Sequence, residues 1–205
     1  MWKSLRLIGD DNWLEVSIAR GSCLAVTDGS YIRELYPNLC SAAFIIECTE
    51  GKGLIVGSFP EQSTKASAYR GELLGLLAIH LILLAANKVK LNLKGHVRIY
   101  SDCLGALTKV ATLPENRIPT RCRHSDILKN IMIHCRSLTF DCKYLHVRAH
   151  QDDSMAYNEL GRPAQLNCLC DGDAKEVIWD LEGEELPVQE VFPLEPIAVF
   201  IGGER

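Results

Sequence analysis

No stretch of this sequence is apolar for long enough to cross a bilayer. The longest apolar run, Leu73 to Ala86 (LLGLLAIHLILLAA), carries His80 and follows Glu72 directly. It falls short of the roughly 20 residues that a membrane helix needs, so a buried core helix is expected and no membrane partner. The opening residues, MWKSLRLIGDDNW, lack an apolar core of signal-peptide length, which points to an intracellular setting. Excess positive charge is missing too: the net charge is −4, whereas simple nucleic-acid binders are basic. Carboxylates gathered around divalent ions would account for part of that balance, since each ion offsets two charges. Aromatic residues are only 7 % of the chain, so no stacking platform for single strands is indicated. The zinc spacing C-x₂-C is absent as well. Cys168-x-Cys170, with His146 and His150 nearby in sequence, lacks the second pair that a zinc site needs. The nine cysteines are odd in number and irregularly spaced, so they read as reduced, mostly buried thiols and not as a disulfide framework.

What is present is ordinary for a folded protein: 205 residues, 47 % hydrophobic and 23 % charged, enough for one domain with a sizeable core and extra segments. Residues 1–22 show no clean periodicity and read as an N-terminal leader or strap. From residue 23 to 182 the pattern is regular. CLAVTDGSYI, CSAAFIIECTEG and GLIVGSF are three short strands joined by short links, an antiparallel meander. Ser67 to Val89 reads as one helix, apolar on nearly every face after Gly71. HVRIYSD is a strand, CLGALTKVATL a short helix stopped by Pro114, residues 115–121 a loop, HSDILKNIMIHCR a helix and FDCKYLHVRAH a strand. A polar loop over 151–163 leads into a last helix, AQLNCLCDGDAKEVIWDL, started near Pro163. Residues 183–205 are an acidic, then proline-punctuated apolar extension that begins a following region or packs back. The order is β-β-β-α-β-α-α-β-α. The strand after the long helix should lie parallel to the first strand through a crossover.

Four acids occupy informative places in that order. Asp28 is near the end of the first strand, Glu72 is in the first turns of the long helix, Asp102 ends the fourth strand and Asp171 is in the last helix. If the first and fourth strands are parallel neighbours, Asp28 and Asp102 reach the carboxyl edge of the sheet together, where open α/β sheets place ligands. Each acid also has a plainer reading. Asp28 suits a turn, Asp102 a helix cap, Glu72 a helix N-terminal dipole, and Asp171 the surface. Taken together, crowded carboxylates repel unless a hard cation joins them.

The motifs T-D-G-S (27–30), A-Y-R-G-E-L-L-G-L (68–76), I-Y-S-D (99–102), V-R-A-H (147–150) and L-N-C-L-C-D-G-D-A (166–174) resemble the ribonuclease H family over residues 23 to about 180, particularly the domains of retroelement reverse transcriptases. The resemblance implies an α/β fold with a mixed five-stranded sheet, three antiparallel strands followed by parallel ones, and helices on both faces. It implies Asp28, Glu72, Asp102 and Asp171 as ligands of two Mg²⁺ ions, with Mn²⁺ as a substitute. His150 would assist proton transfer or product release, and Gly29, Ser30 and Asn167 would touch substrate. Asn167 stands four residues before Asp171, as in the family pattern, which favours Asp171 over Asp173. The loop from His150 to Asp171 is longer than in the compact bacterial enzymes, and the basic helical handle of some members is not evident.

The activity so implied is hydrolysis of the RNA strand of an RNA–DNA hybrid by a two-metal mechanism, with other domains of a retroelement polyprotein as further partners. A non-catalytic scaffold or nucleic-acid-binding module is the alternative, and another nuclease or an integrase on the same fold is a third. Lys88, Lys90, Lys94 and Arg98, and separately Arg117, Arg121, Arg123 and Lys129, are candidate phosphate contacts or simply solvated faces.

Overall fold

The computed structural model describes residues 4–90, 92–113, 118 and 122–181. Most of the expected 115–121 loop, with Arg117 and Arg121, and the 183–205 extension lie outside the described residues. The strands are β1 (Arg6–Gly9), β2 (Cys23–Ser30), β3 (Leu39–Cys48), β4 (Gly53–Gln62), β5 (His96–Ser101) and β6 (Asp141–His146). The helices are α1 (Trp13–Arg20), α2 (Ala68–Val89), α3 (Leu104–Ala111), α4 (Ser125–Ser137) and α5 (Arg162–Trp179).

All six strands form one sheet in the order β1-β4-β3-β2-β5-β6. The meander β2-β3-β4 is antiparallel and β2, β5 and β6 run parallel. The sheet therefore has one strand more than the five expected. The addition, β1, lies antiparallel on β4 at the edge, with all four of its residues exposed. No alternation of buried and exposed positions marks such a strand. α1 is also short, at 8 residues, and its Trp13 fits where Gly53 leaves room: a Cβ there would lie 2.1 Å from the indole. Residues 6–20 are thus part of the sheet and of the layer packed on it.

Strand alternation divides the core. Cys23, Ala25, Phe44 and Ile46 face α1 and α2 in the larger cluster, and Leu24, Val26, Ala43 and Ile45 face Leu166, Cys170 and Ala174 of α5 in the smaller. β3, covered on both faces, is buried at every position. Pro60 is tolerated in β4 because β1 pairs only with residues 53–56, leaving that stretch an edge.

Contrary to the expectation from the Leu73–Ala86 run alone, the whole of α2, Ala68–Val89, has the length and hydropathy of a membrane span, but it is largely buried between the sheet and α4, as a core helix is. Ser67 caps it, accepting from the Arg70 amide at 3.2 Å. Arg70, fully buried, ties three elements together: Nε and Nη2 donate to Glu61 at 2.5 and 2.7 Å, and Nη2 donates to Asp126 at 2.9 Å. Two glycines then let α2 approach the sheet closely. A Cβ on Gly71 would lie 2.6 Å from Ser41 O, and one on Gly75 would lie 1.8 Å from Thr27 Oγ1.

Candidate functional site

The parallel pairing of β2 with β5 sets Val26 opposite Tyr100. Continued two residues along both strands, this register brings Asp28 level with Asp102. Both share strand parity with Leu24 and Val26, which face α5, so their side chains leave the sheet toward α5. Asp28 is inside β2 and not in a turn. Asp102 does not cap α3, whose cap position is Cys103 and which receives no side-chain cap bond.

Glu72 arrives from the opposite face, around the end of β2. Its approach depends on Gly29, where a Cβ would lie 2.3 Å from the Glu72 amide nitrogen. The Gly29 N–H donates to Asp28 Oδ1 at 2.8 Å and to Glu72 Oε1 at 3.2 Å, and Ser101 Oγ donates to Glu72 Oε2 at 3.1 Å. Oxygens of Asp28, Glu72 and Asp102 all lie within 4.8 Å of one another.

The electrostatics follow from that crowding. Asp28 is pushed up to about 6, by burial first and then by the Asp102 charge. Glu72 is pushed well above the usual carboxylate range by burial and then by the Asp28 charge. Asp102 is raised by burial, and His150 supplies the largest opposing charge. Such a group stores repulsion that a cation relieves. The donors are hard oxygens, which fit Mg²⁺ or Mn²⁺.

Asp171 is half-buried on α5 and pairs with Lys175 at 2.7 Å, one turn on. It lies outside the tight triad, yet its charge acts on both Asp28 and Asp102. Asp173 belongs to different surroundings, near Glu176 and Arg6 of the edge strand. Asn167 is buried one helical turn before Asp171, and its Nδ2 has no hydrogen-bond partner among the described residues. Ser30 is buried at the end of β2 beside Gly29. His150 is exposed, in the left-handed region at φ 49°, at the start of the loop and close enough to act on Asp102.

Three features escaped the sequence reading. Ser101 orients Glu72, and its hydroxyl also accepts from the Cys103 amide at 3.0 Å. A serine before an acid carries no spacing signal. His146 Nε2 lies 3.0 Å from Asp102 O, a second histidine at the same edge. A cavity of about 500 Å³ lies between the start of α2 and the start of α4, with Lys65, Arg123 and His124 in its wall. Burial, then Arg70 and Arg123, push His124 down to about 4, so it is neutral there at ordinary pH. Of its lining, only Arg123 stood out in the sequence.

No family model matches the chain, and no curated protein does. Solved structures do. LC11-RNase H1, isolated from compost by a metagenomic approach, superposes with a TM-score of 0.57 at 12 % identity, over 78 % of this chain and 99 % of its own; its structure is a complex with an RNA/DNA hybrid. The RNase H domain of prototype foamy virus gives 0.57 at 15 % identity, covering 78 % of this chain and 95 % of the domain. The protease-reverse transcriptase of the same virus gives 0.55 at 17 % identity; this chain covers 76 % of itself there and spans about a fifth of that protein, 20 %. Identities so low speak for architecture alone, and on that they agree: the chain has the ribonuclease H fold, an open mixed sheet with helices on both faces.

Proposed function

We propose that this chain is a metal-dependent endonuclease that hydrolyses the RNA strand of an RNA–DNA hybrid. The observation that carries the reading is the convergence of Asp28, Glu72 and Asp102 from two parallel strands and one helix, with oxygens within 4.8 Å of one another. These three, with Asp171, would hold two divalent ions, Mg²⁺ or in its place Mn²⁺. Bound there, the ions would supply an activated water and stabilisation of the departing 3′ oxygen.

The remaining work falls to the chain. Gly29 and Ser101 fix the carboxylates by donating to them. His150, exposed at the start of its loop, moves the proton. Gly29 and Ser30 meet the substrate backbone beside the acids. Asn167, with its buried unpartnered Nδ2, donates to a substrate oxygen; an orphaned donor costs about 1–3 kcal/mol until something accepts from it. The cavity walled by Lys65 and Arg123 seats a phosphate of the duplex. A hybrid duplex is read by shape and by 2′-hydroxyl contacts across the minor groove, which a site poor in aromatics can do. The RNA/DNA hybrid bound by LC11-RNase H1 supports the substrate class. The foamy-virus reverse transcriptase supports partnership with other domains of a retroelement polyprotein.

The test is cleavage of a hybrid labelled on its RNA strand, with RNA duplex and DNA duplex as controls, with Mg²⁺ and with a chelator. Hybrid-selective, metal-dependent cutting is the expected result. One observation favours the rival, a binding module without catalysis: Lys175 already neutralises Asp171. Tight hybrid binding with no cutting in either metal would establish that rival.

A further inference from the structure

Cys23 of β2 lies opposite Cys48 of β3 in an antiparallel pair. The rung beside it is Ser22 with Thr49, where the Thr49 amide donates to Ser22 O at 2.9 Å. Hydrogen-bonded and non-hydrogen-bonded rungs alternate, so the Cys23–Cys48 rung is a non-hydrogen-bonded one. There the Cα atoms approach to about 4.5 Å, inside the range of about 4.4–6.8 Å that disulfides span. Directly opposed residues also point to the same face, and both thiols belong to the core cluster beneath α1 and α2.

The two thiols differ in character. Cys23 is 0 % exposed, and burial pushes it up to about 12. Cys48 is 4 % exposed and ends its strand at the exposed 49–52 turn. Burial alone would raise it too. Ser22, whose Oγ is 3.6 Å from Sγ, and the turn amides of Glu50 and Lys52 reverse that and hold the Cys48 thiol below its ordinary value. Of two buried thiols, the one that borders an exposed turn and whose thiolate is favoured by polar neighbours is the partner that oxidises first.

We propose that Cys23 and Cys48 form a site of reversible oxidation, taking peroxide-class oxidants and closing to a cross-strand disulfide. The Cys48 thiolate attacks one peroxide oxygen and the O–O bond breaks; the departing hydroxide leaves as water once protonated, and Cys48 becomes a sulfenic acid. The Cys23 sulfur then attacks the Cys48 sulfur. The S–O bond breaks, and the hydroxyl leaves as water with the Cys23 proton. Overall, both thiols are oxidised by two electrons and one peroxide is reduced to two waters. A dithiol reductant reverses the change by thiol exchange. The bridge closes the β2-β3 hairpin at the end remote from Asp28, so it stiffens the strand that carries the site without touching the carboxylates. The inference is independent of the nuclease reading.

The experiment uses the unmutated full chain at low concentration. It is treated with hydrogen peroxide, capped with iodoacetamide and digested without reductant, and the linked peptides are identified by mass. One linked peptide carrying Cys23 and Cys48 is expected, lost on dithiothreitol treatment and absent from a Cys48→Ser chain. Closing a loop of this length should raise the midpoint of thermal unfolding by roughly 5–10 °C. A different cysteine pair linked in preference, Cys48 driven to sulfinic acid without a link, or oxidation that lowers the midpoint would each overturn the proposal. Because the linkage is mapped on the unmutated chain, poor folding of Cys48→Ser does not obscure it.

Discussion

Replacing Asp28 by Asn should make the metal-free protein more stable while weakening its response to metal. The folded chain holds the Asp28 carboxyl at about 6 against an ordinary 3.8, by burial and then by Asp102. Each pH unit of such a rise is worth about 1.36 kcal/mol, so the ionised carboxylate costs the fold at most about 3 kcal/mol. The sign follows from the direction. A carboxyl raised in the folded state contributes its stability below its unfolded value and loses it as pH climbs through about 6. Glu72 is raised in the same direction, by burial and by Asp28, so its ionisation also costs the fold. Asn keeps the shape of Asp28, still accepts the Gly29 N–H and never ionises. At pH 8 in chelator we expect Asp28→Asn to gain about 1–3 kcal/mol, or about 2–10 °C in melting midpoint for a chain of this size. The gain should shrink toward pH 5. Saturating Mg²⁺ reverses the comparison. A ligand at a hundred times its Kd adds about 2.7 kcal/mol to the parent and less to the mutant. Thermal melts of both chains from pH 5 to 8, with Mg²⁺ and with chelator, decide the matter. If Asp28→Asn melted below the parent at pH 8 without metal, the argument from crowded carboxylates would be wrong.

Asp102→Asn should nearly abolish hybrid cleavage with circular dichroism and melting cooperativity retained; full activity at matched Mg²⁺ would remove Asp102 from the site. His150→Ala should slow turnover by a factor of about 10²–10⁴, the contribution of a proton shuttle, with hybrid affinity unchanged; lost binding would instead make it a substrate contact. Gly29→Ala should destabilise by about 1–3 kcal/mol and lose metal response as well, because the new Cβ meets the Glu72 amide at 2.3 Å; an unchanged melt would show that α2 shifts freely. Arg70→Met should cost about 3–5 kcal/mol, since it leaves Glu61 and Asp126 buried without their shared cation; urea unfolding measures it.

Local chemistry, which depends only on near neighbours in the chain, was legible without coordinates. β-branched and aromatic strands, Ser67 before an apolar helix and Pro163 at a helix start announce their elements through their own backbone preferences. The order of those elements, with a long helix between two strands, also implied the parallel crossover that the sheet contains. The edge strand Arg6–Gly9 was not legible, because all four of its residues are exposed and leave no alternation to read. Ser101 was invisible for another reason: its role is a hydrogen bond to a residue 29 positions away.

By itself, the sequence offered two acids near strand ends, Asp28 and Asp102, one near a helix start, Glu72, and one within the last helix, Asp171, and it put Glu72 before an apolar run where a lone charge would need a partner. Whether they meet was a tertiary question. The parallel register that sets Val26 opposite Tyr100 levels Asp28 with Asp102. The bare Cα of Gly29 admits Glu72. The seating of α5 leaves Asp171 near enough for its charge to act on Asp28 and Asp102, and Asp173 near enough to feel Arg6. The physical reason is that carboxylate chemistry depends on spacings of a few ångströms, and those are set by packing between elements distant in the chain, about which neighbouring residues carry no information.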